Sequence, residues 1–178
     1  YFEKNFVFND LTHKGALTGI RIEGPTNSVD QRVTRLCKEL NLLKDEYSIL
    51  EYEQSTIFWN KTKNLEVFSN SKSNLLRVVV PMSETVNVIQ KLKVYDINYF
   101  VDWGGSLIWL QIENLNLKIL KEIRDITQKH SGYFTIIKID EDLKASADIF
   151  TIDPIKYKIS EKIKKSFDPK RIFNPGKM

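Results

Sequence analysis

One stretch of this sequence, residues 97–112 (INYFVDWGGSLIWLQI), restricts the possible folds more than any other. It holds two apolar runs with the residue types of β-strands, separated by Trp103, Gly104 and Gly105. A short glycine-containing connection between two such runs is typical of a β-hairpin. The same stretch contains two of the chain's three tryptophans, Trp103 and Trp109. We therefore predict that residues 97–112 form a hairpin within a sheet.

The aromatic residues of this hairpin have two interpretations. As large apolar side chains they would fill a core, which is the commoner role of such residues. Alternatively, Asp102, Trp103 and the two glycines form a corner that faces a ligand, because paired glycines let the backbone approach a partner closely. The two interpretations are compatible, and the sequence does not choose between them.

The hairpin lies within a regular order of predicted elements. The order is a strand at residues 75–80, a helix, the hairpin, a second helix and a strand at residues 133–139. The first helix has the apolar stripe Val86, Ile89 and Leu92, with Ser83 as its cap. The second has the stripe Leu117, Leu120, Ile123 and Thr127, and it stops at Gly132. This order predicts an α+β fold of the ferredoxin-like (split βαβ) type. Right-handed crossovers place both helices on one face of the antiparallel sheet. The short turn makes the hairpin strands neighbours, and we expect them in the middle of the sheet.

The first part of the chain predicts an additional strand and additional helices. Residues 16–23 (ALTGIRIE) alternate well enough to be a strand. A helix follows, and its apolar stripe includes Cys37, which is therefore predicted to be a buried core thiol and not a nucleophile. The pattern then favours a short strand at residues 47–50 and a helix at residues 51–64.

The composition limits the classes of protein to consider. The chain has 178 residues, of which 42% are hydrophobic, so it can fill a core and does not resemble a disordered segment. It has no apolar run of about 18 residues, and its first residues lack the layout of a signal peptide, so we expect no integral membrane segment. With one cysteine, the chain has neither an internal disulfide nor an all-cysteine metal site.

Charge gives a weaker indication of partners. The formal net charge of +4 comes from 27 basic and 23 acidic residues, which are well mixed except in a lysine-rich C-terminal part. That part is most simply a solvated helix face; alternatively it meets an acidic subunit, an anionic membrane surface or a nucleotide cofactor. No nucleic-acid recognition motif accompanies the charge, so we do not expect a nucleic acid as partner.

Taken residue by residue, the chain offers no self-sufficient active site, and no catalytic residue can be named. It has neither a G-x-G-x-x-G nor a P-loop sequence to hold phosphates. His13 and His130 are not spaced as metal ligands, so no metal is expected, and His130 suits a helix C-terminus. Arg77 lies within an apolar strand, where it either faces solvent or anchors a carboxylate by a bidentate contact.

The most specific motif lies in residues 163–178 (IKKSFDPKRIFNPGKM). A basic amphipathic helix is followed there by two turns, at Asp168-Pro169 and at Asn174-Pro175-Gly176. The pattern F-D-P-x-x-I-x-N-P-G-K-M resembles the closing signature of FAD-linked oxidases of the vanillyl-alcohol oxidase/PCMH type. Within that group, RIEG at residues 21–24 and DWGGSLIWL at residues 102–110 are similar to the FAD-binding E subunit of glycolate oxidase.

This resemblance implies a chain cut from a longer subunit. In such proteins an N-terminal domain holds FAD, and a C-terminal cap domain covers the flavin ring and shapes the substrate site. Residues 1–150 would be the cap or substrate domain, and residues 151–178 a helix and tail that dock toward the FAD-binding domain upstream. The cofactor contacts would come from Asn174, Trp103 and Gly104, and the substrate or partner contacts from Arg77, Asp102 and Trp109.

The resemblance also implies an activity, which is the oxidation of glycolate, a small 2-hydroxy acid, to glyoxylate with FAD as electron acceptor. The partners would be a catalytic flavin subunit and an iron-sulfur subunit. Relatives that oxidise hydroxy acids directly often have a G-D-G-N-x-H hairpin, whereas residues 102–105 read D-W-G-G. The chain would therefore belong to a supporting or electron-carrying flavin subunit, inactive as a fragment.

Two further expectations complete the sequence analysis. We expect a cytoplasmic protein, with a peripheral position at the inner membrane as the alternative. The alternative function is a free-standing ferredoxin-like module that binds a small ligand or partner and has no redox activity.

Overall fold

The structure is a computed structural model that describes residues 6–8, 11–13, 16–43, 46–68, 73–150 and 153–174. The chain divides into two compact units, Glu3–Ser71 and Lys72–Met178. Within the described residues, the helices and strands are β1 (Phe6–Phe8), β2 (Leu11–His13), α1 (Thr26–Glu39), α2 (Tyr52–Lys63), β3 (Asn74–Val79), α3 (Thr85–Leu92), β4 (Ile97–Asp102), β5 (Leu107–Ile112), α4 (Leu117–Lys129), β6 (Tyr133–Lys138), α5 (Glu141–Lys144) and α6 (Pro154–Phe167). The assignment of separate roles to residues 1–150 and 151–178 stays a prediction.

The first unit contains a two-stranded antiparallel sheet of β1 and β2, followed by α1 and α2. The predicted helix at residues 51–64 is confirmed as α2, but the strand predicted at residues 47–50 is wrong. Residues 16–23 are also not a strand, and within them only Leu17 takes part in a β-bridge. Gly19 lies against α2 instead, so closely that a Cβ atom there would be 3.2 Å from the ring of Phe58. The alternation of apolar and polar residues indicates an extended backbone, but it does not show whether another strand lies beside it to pair with.

Cys37 lies on α1 as predicted but is only half-buried, and none of the described side chains of this helix is buried. The prediction of a buried core thiol is therefore wrong. A hydrogen bond with Cys37 raises the pKa of Tyr47, which places the two side chains in contact.

The second unit is built on a four-stranded antiparallel sheet in the order β4-β5-β3-β6. Each pair of parallel strands, β3 with β4 and β5 with β6, is joined by a helix, which is the split βαβ arrangement. The predicted ferredoxin-like α+β fold is confirmed. The hairpin strands β4 and β5 are neighbours as predicted, but they do not form the middle of the sheet. Because β3 pairs with both β5 and β6, β3 and β5 are the central strands and β4 lies outside them.

Cross-strand register divides the side chains of this sheet into two faces. The first face and the two helices that cover it form one apolar core, whose buried members include Leu76, Val78, Ile97, Tyr99, Ile108, Leu110, Ile112, Phe134 and Ile136 from the strands, Val88, Ile89 and Leu92 from α3, and Leu120 and Ile123 from α4. Two predicted stripe residues lie outside this core, since Val86 is 64% exposed and Leu117 is 45% exposed. Ser83 is not the cap of α3, because it lies inside a 3₁₀ turn, Met82–Glu84, that precedes the helix.

The remaining helices follow the sheet. Asp153 caps α6 by accepting hydrogen bonds from the backbone N–H groups of Ile155 and Lys156. None of the described side chains of α6 is buried, although the helix carries several large apolar residues. Across the described ranges, no helix has both the length and the apolar character needed to cross a membrane.

Candidate functional site

Arg77 is the centre of the candidate site. It lies between Leu76 and Val78 on β3, and the twofold alternation of a strand therefore directs it to the second face of the sheet, away from α3 and α4. Its cross-strand partners are Trp109 on β5 and Thr135 on β6. The side chain is half-buried and makes no ion pair and no hydrogen bond with any described residue. The structure thus places on this face a cation whose donor groups are unused within the described chain.

An aromatic side chain lies directly beside this cation. The guanidinium carbon of Arg77 is 4.8 Å from the centroid of the Trp103 ring, which is within the range of a cation–π interaction. Trp103 lies at the tip of the β4–β5 hairpin, and its side chain is 59% exposed. Arg77 and Trp109, predicted to contact the substrate or a partner, therefore lie together with Trp103, predicted to contact the cofactor.

The backbone of the hairpin tip, residues 102–106, is unusual. Three consecutive residues have positive φ angles: 52° at Trp103, 61° at Gly104 and 110° at Gly105. Glycine adopts such angles readily, but a left-handed conformation costs a tryptophan roughly 1 kcal/mol. The connection is also longer than predicted, because a 3₁₀ turn at Trp103–Gly105 and Ser106 separate the strands.

Hydrogen bonds hold this strained tip. The Asp102 carboxylate accepts from the backbone N–H of Trp103 at 2.7 Å, and the Ser106 hydroxyl donates to the Trp103 carbonyl at 3.0 Å. From outside the tip, the Thr85 hydroxyl donates to the Gly105 carbonyl, and the Val80 N–H donates to the Ser106 carbonyl at 3.0 Å. Asp102 therefore has a structural contact in the tip, and its proposed contact with a substrate or partner stays a prediction.

The other hairpin aromatics confirm the packing interpretation for two residues, while the ligand-facing corner stays a prediction. Phe100 is 2% exposed and Tyr99 is buried in the first-face core, so both have the packing role. Phe100 also lies near Trp109, with ring centroids 6.4 Å apart and planes inclined by 35°. Trp109 is half-buried beside Arg77, and Trp103 is exposed. Packing thus explains Phe100 and Tyr99, whereas it does not explain Trp103.

Chemically, this arrangement suits a small carboxylate. A guanidinium group presents a planar set of donors that matches a carboxylate in a bidentate contact. The half-burial of Arg77 strengthens such a contact relative to one in open water. The adjacent indole ring adds an apolar surface for the rest of the ligand. Within residues 16–43, 46–68, 73–150 and 153–174, no three His, Cys, Asp or Glu side chains are arranged to hold a metal ion.

The C-terminal motif forms a second ordered turn. The carboxylate of buried Asp168 accepts from the backbone N–H groups of Ile172 and Phe173, both at 2.9 Å, and Lys164 donates to the Phe173 carbonyl at 2.9 Å. Burial alone would raise the pKa of the Asp168 carboxyl. The two N–H groups, Lys164 and Arg171 together lower that pKa by more than burial raises it, so the net shift is downward. The turn predicted at Asp168 is therefore present.

Asn174 ends the described part of this segment. It is exposed, has a φ of 46°, and makes no side-chain hydrogen bond with a described residue. Pro175 and Gly176, which complete the second predicted turn, lie outside the described residues. The role of Asn174 as a cofactor contact alongside Trp103 stays a prediction.

Sequence analysis missed a cluster of charged side chains at the ends of the core helices. His130 caps the C-terminus of α4, as predicted, and its Nδ1 lies 2.5 Å from a Glu84 carboxylate oxygen. Its Nε2 lies 2.8 Å from the Lys91 ammonium, which can only donate, so Nε2 accepts and Nδ1 carries the proton given to Glu84. The hydrogen bond from His130 is the main reason why the pKa of Glu84 is lowered. Glu84 and His130 are 46 positions apart, and no local pattern marks them as partners.

The residues of this site are chemically compatible with contact to one end of an FAD molecule, the cofactor that the motif resemblance implies. Exposed Trp103 offers a flat aromatic surface, and Arg77 offers a cation next to it, which suits a flavin ring edge or the carboxylate bound beside it. The sequence has no glycine-rich loop of the kind that holds a pyrophosphate. These residues are therefore suited to contact a flavin held elsewhere.

Comparisons with known proteins give no relative. No family model, no curated protein and no solved structure matches this chain. The resemblance to FAD-linked oxidases therefore rests on the motif residues alone.

Proposed function

We propose that this chain is the cap region of the FAD-binding E subunit of a glycolate oxidase, and that Arg77 binds the carboxylate of the 2-hydroxy acid. One observation carries the proposal: Arg77, half-buried and without an ion pair among the described residues, lies over exposed Trp103 at the hairpin tip. The tip is the DWGG segment in which the resemblance to glycolate oxidase was found.

Glycolate matches this site in size and charge. Its carboxylate is one bond away from the carbon that is oxidised, so a bidentate contact with Arg77 would fix the position of that carbon. The Trp103 ring would cover the apolar side of such a small ligand and exclude water from the contact. Both contacts serve to bind and orient the substrate. The proposal names no residue as the base that accepts the proton of the hydroxyl group.

Bound FAD would supply redox chemistry by carrying the electrons that leave the alcohol carbon. Trp103, Gly104 and Asn174 would contact the cofactor, while an upstream domain holds most of it. Gly104 has open space where a Cβ atom would lie, so the tip backbone is accessible there. On this basis, the 178-residue chain by itself is expected not to retain flavin, and a purified sample with stoichiometric flavin absorbance would contradict this.

The proposed assembly includes a catalytic flavin subunit and an iron-sulfur subunit, in the cytoplasm or peripherally at the inner membrane. The support is the exposure of apolar side chains on α6, such as Ile159 and Ile163, next to several lysines. Such a surface suits a protein partner better than open solvent does.

Steady-state kinetics of the full-length subunit in its complex tests the role of Arg77. Arg77→Met keeps most of the side-chain volume and removes the charge, and we expect the KM for glycolate to rise tenfold or more, because a charge-assisted hydrogen bond contributes about 1.5–3 kcal/mol. Arg35→Met is the matched control, since Arg35 is an exposed arginine on α1 that pairs with Glu39. An unchanged KM in Arg77→Met would contradict the assignment.

The alternative is a free-standing module that binds a small carboxylate without redox chemistry. It is favoured by the fact that Arg77, Trp103 and Trp109 all belong to one compact unit. Titration of the 178-residue chain with glycolate, monitored by calorimetry without FAD, distinguishes the two functions. Binding with a micromolar Kd would favour the module, whereas binding only in the full-length, FAD-loaded subunit would favour the oxidase.

A further inference from the structure

We propose that Thr85 is a positioning residue for the candidate site: its hydroxyl group holds the hairpin tip in the conformation that places Trp103 beside Arg77. This inference rests on the proposed function for its effect on substrate binding, while its structural part is independent of that function. Thr85 touches neither Arg77 nor Trp103 through any described contact, so its influence passes through the backbone of Gly105.

The contacts of Thr85 connect the tip to the body of the second unit. Thr85 is the first residue of α3, is 5% exposed, and donates its hydroxyl hydrogen to the Gly105 carbonyl. The 3₁₀ turn before it also touches the tip, because a Cβ atom on Gly105 would lie 3.0 Å from Met82 Cγ. Residues 80–85 thus lie beneath the tip and contact it at several points.

Among these contacts, the Thr85 hydroxyl is a side-chain hydrogen bond that comes from outside the tip. The bonds of Trp103 to Asp102 and Ser106 lie within the tip and move with it. Strained backbone conformations persist only where the surrounding structure determines them. Without the Thr85 hydroxyl, the Gly105 carbonyl loses its donor, and the three residues with positive φ are free to relax.

The position of Thr85 is itself well defined. The preceding residue, Glu84, is bonded to His130 at the end of α4. Val88, which follows on the same helix, is fully buried in the first-face core. The tip is therefore attached to the helix layer through Thr85. This attachment fixes the position of the Trp103 ring beside Arg77.

Tryptophan fluorescence tests the structural part. In a chain with Trp59→Phe and Trp109→Phe, all tryptophan emission comes from Trp103, and its acrylamide quenching reports the environment of that ring. Thr85→Val keeps the shape and removes the hydroxyl, and we expect the quenching constant of Trp103 to change by a factor of about 1.5 or more. Thr85→Ser keeps the hydroxyl and should restore the parent value. Thr85→Ala provides the same comparison if the valine variant does not fold.

The outcomes separate this proposal from the proposed function. Equal quenching in the parent, Thr85→Val and Thr85→Ala chains would overturn the positioning role, and so would equal changes in Thr85→Ser and Thr85→Val. In the full-length subunit, we expect Thr85→Val to raise the KM for glycolate about threefold or more, with Thr85→Ser near the parent. If the fluorescence responds as expected but Arg77→Met leaves the KM unchanged, Thr85 positions the tip and the proposed substrate site is wrong.

Discussion

The two faces of the four-stranded sheet differ in what their side chains do. On the first face, apolar residues such as Leu76, Val78 and Leu110 are fully buried under α3 and α4. On the second face, Phe100 and Leu107 are also buried, but Arg77 and Trp109 are half-buried, and Arg77 makes no ion pair with a described residue. One strand, β3, contributes to both, because Leu76 and Val78 point to one face and Arg77 to the other.

This difference separates side chains that stabilise the fold from side chains that contribute little to its stability. Every side chain of the first-face core can be explained by the area it buries. The pairing of Arg77 with Trp103 contributes little to stability, since cation–π interactions at partly exposed positions are worth about 0.5–1 kcal/mol. Arg77 and Trp103 therefore contribute less to folding than the core residues do, and substitutions at these two positions should cost less stability than substitutions in the first-face core.

The largest expected effect is on the first face. Leu110→Ala should lower the free energy of unfolding by about 3 kcal/mol, because a fully buried leucine leaves a cavity in a core that cannot collapse completely. Denaturation by urea, followed by far-ultraviolet circular dichroism, measures this change. A loss below about 1 kcal/mol would mean that the helix layer is more loosely packed than the burial of Leu110 indicates.

The two glycines of the tip should respond differently. Gly105→Ala should cost about 2 kcal/mol, because its φ of 110° suits no side chain and the new Cβ would press on Met82 at 3.0 Å. Gly104→Ala should cost about 1 kcal/mol, since its φ is 61° and nothing lies within 4 Å of the new Cβ. Thermal unfolding of both variants gives the order, and a larger loss at Gly104 would contradict the described tip.

Acid should weaken the helix layer through Glu84. Its folded-state pKa is below the ordinary value of 4.5, mainly because His130 donates a hydrogen bond to it. A lowered folded pKa adds stability that is complete above pH 4.5 and is lost as the pH falls through the lowered pKa. Asp168 has a pKa lowered in the same sense, so the contribution of Glu84 is the difference between the parent chain and Glu84→Gln.

Urea denaturation between pH 3 and pH 6 measures that difference. The stability advantage of the parent over Glu84→Gln should shrink as the pH falls below about 4.5, because the protonated parent carboxyl then resembles the amide. Parallel pH profiles for the two proteins would show that the bond to His130 does not stabilise the folded state.

The smallest expected effect on stability is that of Arg77→Met on the second face. The methionine stays opposite Trp109 in the register and loses the interaction with Trp103, so we expect a change of less than about 1 kcal/mol. The same denaturation assay as for Leu110→Ala allows a direct comparison of the two faces. A loss as large as that of Leu110→Ala would show that Arg77 is needed for folding.

Local patterns were sufficient to predict much of the second unit. The strands at residues 75–80 and 133–139 were placed within about one residue of β3 and β6, because apolar β-branched runs bounded by turns carry their own signal. The hairpin was predicted for the same reason. Predicting the order of the strands would have required knowing that β3 pairs with a strand on each side. No local sequence pattern contains that information.

The candidate site could be predicted only in part. Arg77, Trp103 and Trp109 were identified from their residue types, but whether Arg77 faces solvent or a ligand depends on which face of β3 the helices cover. The bonds from Thr85 to Gly105 and from His130 to Glu84 join positions 20 and 46 residues apart, and they arise from tertiary packing. Residues 16–23 show the opposite case, in which a strand-like pattern forms a single bridge at Leu17 and is not part of a strand.

The left-handed backbone at Trp103 has a consequence for the mutational tolerance of this position. Glycine would adopt a φ of 52° without strain, and replacing an exposed indole by glycine would sacrifice little buried area. Selection for folding alone would therefore favour a small residue here. In a saturation library sorted by abundance, position 103 should therefore accept many residues, with glycine at least as abundant as tryptophan.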